Sequence, residues 1–496
     1  MSKRNVVVAL LAGLFLFTAI PGHAEPAKVS LTIYNAPSSN YSYDQGSIHG
    51  FGYAVVRETR ALNLEKGKNT IRFTDVAKTI DATSVSFESL TDPKGTSVLE
   101  QNFEYDLMSS DKLLERYIDR PLTLLAKDGA ISGKLLSFDA SSLVIATEDK
   151  SNPIRIIKRG DNLNAITFSE LPGGLITRPT LVWELSAAKG GEHQVKVAYQ
   201  ANDIGWSSDY TVTVNDKDTR ARVASWVTIV NQSGASYQNA GLKLVAGDVQ
   251  RVQRRTGYAN KRMLMAASSQ EDSAEPQFAE KSFFEYHLYT LQRTTSLPDK
   301  SMKQIELFTP APEVPIRKLM VYVGASRYGW DGGPYLDRDL GTESNPKVDV
   351  YLEIANKKEN GLGIPLPKGK MRVYKEDPDD KSLEFIGEDM IDHTAKDETL
   401  LIRLGQAFDV VGERKQVDYR TDKKNVWETF EITLKNHKDQ AVTVLVKENL
   451  YRWTNWAIEK SSDKHQKKDS RTVLFEVSVP ANGQKTVTYT VHYWGW

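Results

Sequence analysis

Apolar and polar residues alternate with a period of two through almost all of this chain, and that pattern leaves little but β-structure to build. Successive side chains of an extended strand point to opposite faces, so each such run buries one face and wets the other. LTIYN and GYAVVRETR open the series, followed by Asn69–Val76 and Thr83–Leu90. HQVKVAY, DYTVTV, RVASWVTIVN and GLKLVAG carry it through residues 175–250. From Leu319 it resumes in KLMVYVG, VDVYLEIAN, KMRVYKE, LEFIGED, TLLIRLG, VWETFEITLKN, AVTVLVKENL, TVLFEVSVP and KTVTYTVHY. Runs at this spacing, with Asn360-Gly361 and Asn482-Gly483 as turn signals, predict one large or two small antiparallel sandwiches.

Two segments depart from that rhythm. Leu113, Leu114, Tyr117 and Ile118 fall on one helical face before Pro121, which predicts one short helix. LTLLA, ISGKLLSF, SLVIAT, IRIIK and NAITF then follow at short spacing, with Asp128-Gly129 suited to a tight hairpin. These five strands have the rhythm of a small SH3-like or Sm-like barrel. The fold class expected is therefore all-β: several antiparallel β-sandwich domains, a small SH3-like/Sm-like barrel insertion and one short helix. The expected domains are 25–110, 111–170 (helix plus small barrel), 171–310 and 311–496, with a mobile loop at 251–282. That loop begins basic (Arg251, Arg254, Arg255) and ends acidic (Glu271, Asp272, Glu275), with no periodicity between.

Lys3 and Arg4 followed by the apolar run Val6–Ile20 and the small residues of Gly22-His23-Ala24 have the form of a secretory signal, 1–24, with cleavage after Ala24. An exported, periplasmic protein is the expectation, with no transmembrane segment in the mature chain. The chain has no cysteine, so disulfides, thiolate metal sites and cysteine nucleophiles are excluded. Its 64 basic and 64 acidic residues balance, which gives no reason to expect nucleic acid as a partner.

The familiar catalytic signatures are missing: no G-x-S-x-G, H-E-x-x-H, G-x-x-x-x-G-K-[ST] or G-x-G-x-x-G. GLGIPLPKGK (361–370) has the wrong glycine spacing for a phosphate loop, and its prolines remove donors, so it reads as a rigid turn. DPDDKSLEFIGE (377–388) lacks the glycine and a ligand of a calcium loop, so it reads as a polar hairpin tip. Among eight histidines, His287 has the most suggestive company. On a strand through FFEYHLY, Glu285, His287 and Tyr289 share one face and Phe284, Tyr286 and Leu288 the other. Acid, imidazole and phenol together could hold a metal or run acid–base chemistry; a strand face paired with a neighbour's cation is the structural alternative. This stretch is expected to form a hairpin, with Lys303–Phe308 returning after Pro298-Asp299.

Trp427, Tyr451, Trp453, Trp456, Tyr489, Tyr493, Trp494 and Trp496 crowd the last quarter. Aromatics on alternating strands read as sandwich core; exposed, Trp453 and Trp456 would stack on sugars. No site pattern calls for a cofactor or a resident metal.

Several blocks in a fixed order resemble one bacterial family, that of the domain of unknown function 4139 (DUF4139). They are VVRETR (55–60), FTDVAKTIDATSVSFESL (73–90), Leu181–Tyr210 with YQANDIGWSSDY, VNQSGASYQNAGLKLVAGD (230–248), FFEYHLYTLQR, NGLGIPLPKGKMRVY, FIGED and LGQAFDVVGERKQVDY. The resemblance spans nearly the whole mature chain. It implies an exported, β-rich envelope protein and supplies no reaction or catalytic residues. The function expected is a non-enzymatic binding or structural module with an envelope partner, protein or glycan. The alternatives are a metal-assisted hydrolase centred on Glu285 and His287, or a cell-wall carbohydrate-binding protein.

Overall fold

The computed structural model describes residues 28–35, 52–105, 109–127, 129–160, 163–170, 178–247, 249, 277–325 and 334–496. The expected signal segment 1–24 and the loop expectation over 251–276 lie outside the described residues. The end of that loop expectation is corrected, because Phe278–Phe283 is a strand. Among the described residues the chain is all-β with one α-helix, Ser110–Arg116, and it divides into two compact units.

The first unit comprises the described residues of Met1–Leu31, Val55–Asn202 and Ser233–Ala240. Thr180–Ala187 is the middle strand of a three-stranded antiparallel sheet, between Gly67–Thr74 and Thr96–Glu104. Its sequence TLVWELSA alternates so that Leu181, Trp183 and Leu185 all point inward and are fully buried. Trp183 meets Phe73 at 5.1 Å and Phe87 at 5.3 Å, and its indole N–H donates to Gln101 Oε1 at 2.8 Å. A buried indole needs such a partner. His193 is likewise a buried structural residue, with Nδ1 3.1 Å from Ser89 Oγ and Nε2 3.2 Å from the Lys189 carbonyl.

The helix is capped by Ser109, whose side chain accepts from the Lys112 amide. Leu114 and Tyr117 are buried as the periodicity requires, while Ile118 is exposed because the helix stops at Arg116. All five expected short strands are present: Pro121–Ala126, Gly129–Phe138, Ser142–Ala146, Ile154–Lys158 and Leu163–Phe168. They form one antiparallel sheet in which the fifth strand pairs with the first, and the helix's Leu114 and Tyr117 complete its core. Among the described residues Ile154–Lys158 and Leu163–Phe168 have no ladder between them, so the barrel expectation is not confirmed.

The second unit comprises the described residues of Thr32–Ala54, Asp203–Gln232 and Gly241–Trp496. Its main sheet has 13 strands, and most of the expected C-terminal runs fall on them. Two pairings are parallel, Ser208–Val214 with Gly369–Lys375 and Met320–Tyr322 with Val444–Val446. The sheet is therefore mixed, against the expectation of antiparallel sandwiches. Alternation fixes which face a side chain takes and is silent on strand direction.

Two very long strands make this sheet continuous. Ser301–Tyr322 pairs with Arg220–Asn231 through its first part and with Lys347–Ala355 through its last. Thr399–Asp422 pairs first with Lys347–Ala355 and then with Asn425–Asn436. The sequence TPAPEVP reads as a break, yet the first strand runs straight through it. Pro310 and Pro312 donate no ladder bonds, so the register shifts between Ala221 and Ser225 while the strand stays extended. A core of Phe430, Phe475, Tyr489, Val446 and their neighbours fills one side of the later strands.

Candidate functional site

The stretch around His287 forms a tight hairpin. Phe278–Phe283 pairs with Tyr286–Leu291, and Phe284 and Glu285 make the two-residue turn. Phe284 adopts φ +57 and is 82% exposed. Glu285 is thus at the turn and exposed, which corrects the expectation that it shares a strand face with His287. The acid that His287 does meet is Glu280, with Nδ1 2.7 Å from Oε1. Ser282 stands opposite His287, so Glu280 reaches it diagonally across the ladder.

Tyr289 is buried, donates its hydroxyl to the Pro365 carbonyl at 2.9 Å and packs edge-on to Trp206 at 6.4 Å. Burial pushes its hydroxyl well above the usual tyrosine range. The expected triad of Glu285, His287 and Tyr289 is therefore not assembled. Of the opposite set, only Leu288 is buried, and Lys303–Phe308 pairs with Arg220–Asn231 instead of returning on this hairpin.

The expected sugar-stacking pair is also redistributed. Trp456 is buried, donates Nε1 to the Ser470 carbonyl at 2.7 Å and carries the Lys467 ammonium 4.3 Å from its ring centre. Trp453 is half-buried, with Trp496 edge-on at 6.2 Å. Among the described residues no group of three or more His, Asp or Glu side chains is gathered so as to hold a metal ion.

Two constellations were not picked out by sequence reasoning. The first lies on the outer face of the C-terminal sheet. Arg420, Trp427 and His492 sit directly opposite one another on three adjacent strands. The Trp427 and His492 rings stack at 4.4 Å and 7°, and the Arg420 guanidinium lies 5.5 Å from the Trp427 ring centre. Trp494, two residues along, is 5.0 Å from His492 and 38% exposed.

Glu459 Oε1 lies 3.2 Å from Trp427 Nε1, which donates to it, and 3.1 Å from His492 Nδ1. His492 Nε2 is 2.9 Å from Asn425 Oδ1, while the Asn425 amide nitrogen donates to Asp422 at 2.8 Å and so fixes which end faces the ring. The signal was present in the alternation. Val426, Glu428, Val491 and Tyr493 are inward, so Trp427, His492 and Trp494 between them must face out.

The second constellation is on the inner face of the same strands. Arg414 pairs with Glu448 at 2.8 Å and Arg452 with Glu428 at 2.8 Å, all four side chains being at most 2% exposed. The Arg414 guanidinium lies 3.6 Å from the Phe430 ring centre, and Glu448 accepts from the Tyr489 hydroxyl. Glu428 also accepts from Gln416 at 2.9 Å and Tyr451 at 3.3 Å.

The arginines spend further donors on carbonyls of the irregular segment 335–345. Arg452 donates to Tyr335, Asp337 and Leu340, and Arg414 to Gly341. Gly341, at φ +74, passes so close to Tyr451 that a Cβ would overlap its hydroxyl. Burial works against the charge on Arg414, and Glu448 and Tyr489 more than reverse that effect, so the guanidinium stays charged. With both ion pairs engaged inward and almost no access to solvent, this cluster fits a structural clamp better than a reactive centre.

Against known proteins, residues 195–493 match the family described as Domain of unknown function (DUF4139). That span contains the hairpin, both arginine pairs and Arg420, Trp427 and His492, while Trp494 lies just beyond it; the blocks at 55–60 and 73–90 precede it. No curated protein matches the chain. No helix among the described residues is long and apolar enough to cross a membrane.

Two expectations follow from the buried cluster. Glu448→Gln leaves Arg414 without its counter-charge and should cost about 3–5 kcal/mol in urea unfolding; a loss below about 1 kcal/mol would show that the pair is not a clamp. Tyr489 and Tyr493 are held neutral, with hydroxyls pushed well above 10.0 by burial and the neighbouring glutamates. They ionise freely only in the unfolded chain, so stability should be intact below pH 10 and fall as pH rises above it. Unfolding followed at rising pH by tyrosinate absorbance checks this; constant stability to pH 12 would contradict it.

Proposed function

We propose that this chain, which belongs to the DUF4139 family, is a non-enzymatic binding module that engages an envelope partner through the outer face of its C-terminal sheet. The observation that carries this reading is the row Arg420, Trp427, His492 and Trp494, set in register where solvent can reach it. Tryptophans at outward positions of a sheet stabilise no core, and aromatic residues with arginine are what binding surfaces concentrate. Glu459, Asp418 and Asn425 supply polar groups around the rings.

A glycan is the partner chemistry this face favours. Trp427 is covered on its two faces by His492 and Arg420, so Trp494 is the ring left to stack on a sugar. The carboxylate and amide beside it are suited to hydroxyl groups. The carbohydrate reading thus moves from Trp453 and Trp456 to Trp494.

Export supports an envelope partner and rests on the charged, apolar and small-residue order of 1–24. Protein recovered from whole cells should begin at Glu25; recovery of the chain with Met1 intact would contradict export. For binding, titration of the purified chain with soluble cell-wall glycan fragments should shift tryptophan emission, and Trp494→Ala should weaken the response by about tenfold without changing the melting temperature. Equal binding by Trp494→Ala would remove the aromatic face, and no retention of any envelope component would overturn the binding reading.

A further inference from the structure

A groove in the second unit, separate in its residues from the aromatic row, has the composition of a ligand site. It holds about 310 Å³, at the small end of the roughly 300–1,000 Å³ usual for such sites. Met320, Val350, Leu404 and Ala407 give it an apolar floor. At its rim stands Phe408, 94% exposed, the most exposed large hydrophobic side chain among the described residues.

Strand geometry explains that exposure. Gln406 pairs with Asp349 and Val411 with Lys347, so the residues between them form a bulge that turns Phe408 outward. A lone exposed apolar side chain is ordinary. This one adjoins an apolar hollow with an organised ionic mouth.

At that mouth Lys318 and Lys375 both reach Asp218, each at 2.5 Å, and Lys438 lies 3.7 Å from Asp409. Burial raises the Asp218 carboxyl, and the two lysines more than offset it, holding it below the usual carboxylate range. Three ammonium groups against two carboxylates leave the lining with one net positive charge.

We propose that this groove binds an acyl chain carrying a single anionic head group. The chain would lie along the floor against Phe408, and the head group would share Lys318 and Lys375 with Asp218. Charge complementarity selects an anion, and the apolar floor selects a hydrocarbon tail. A peptide added as a strand needs a free sheet edge. The strands carrying Met320, Val350, Lys375 and Leu404 are each paired on both sides, and the sheet's edge strand, Leu383–Ile391, contributes only Ile386 to the lining. This proposal does not depend on the aromatic face.

The test is calorimetric titration of the full chain with dodecanoate below its aggregation threshold, beside dodecyltrimethylammonium. Dodecanoate should bind and the cationic amphiphile should not. Lys375→Gln should weaken dodecanoate by about tenfold and Phe408→Ala by a similar factor. Asp218→Asn, which removes the competing carboxylate, should tighten it. Unchanged melting temperatures in Lys375→Gln and Phe408→Ala establish that the fold is intact. No dodecanoate binding, or binding indifferent to Lys375→Gln and Phe408→Ala, overturns the proposal. So does a dimer seen by sedimentation that Phe408→Ala dissolves, which would assign the patch to a second copy of the chain.

Discussion

Arg414 and Arg452 are cations with almost no access to water, and the C-terminal half is arranged around compensating them. Removing a guanidinium from water is costly, and one carboxylate restores only part of that loss unless the other donors are also met. Each arginine has its glutamate, and each spends further donors on backbone carbonyls of 335–345. That segment has little regular structure of its own, so its carbonyls are in turn satisfied by the arginines. Tyr419 and Gln416 add hydroxyl and amide donors to the same backbone. The result is a buried network in which both ion pairs share their partners with the backbone of 335–345.

The same strands carry the proposed binding face on their other side. Glu428 points inward to Arg452 while Trp427, its neighbour, points outward to His492 and Arg420. Tyr493 is buried between the outward His492 and Trp494. The inner clamp therefore fixes the register that sets the outer rings opposite one another. Rings held in register by a rigid ladder lose little further freedom on meeting a ligand.

Much of this fold was legible in the chain itself. The alternating runs mark nearly every C-terminal strand, and the five short strands after Pro121 were readable one by one. What alternation does not encode is which strands meet, so the parallel pairings and the passage through Pro310 and Pro312 were not visible. The site was less legible. FFEYHLY reads as one run with Glu285 inside a strand, yet Phe284 takes a left-handed turn and breaks it. Trp456 and Tyr289 are interior, whereas Trp427 and Trp494, which read as core in the sequence, face out. Strict inward–outward counting across NVWET and VHYW would have separated them. The buried glutamates and arginines invert the usual rule that charge lies outside, so counting alone assigns them to the wrong environment.

Hydrogen exchange on segment 335–345 in the full native chain tests whether the buried arginines organise this half. If they do, the Tyr335 amide, which donates to the Arg452 carbonyl, and the Asn345 amide, which donates to the Gly324 carbonyl, should exchange as slowly as the flanking strands. In Arg452→Met the protection at Tyr335 should collapse while the first unit is unaffected. Exchange at 335–345 as fast as an unstructured loop in the wild-type chain would contradict the account.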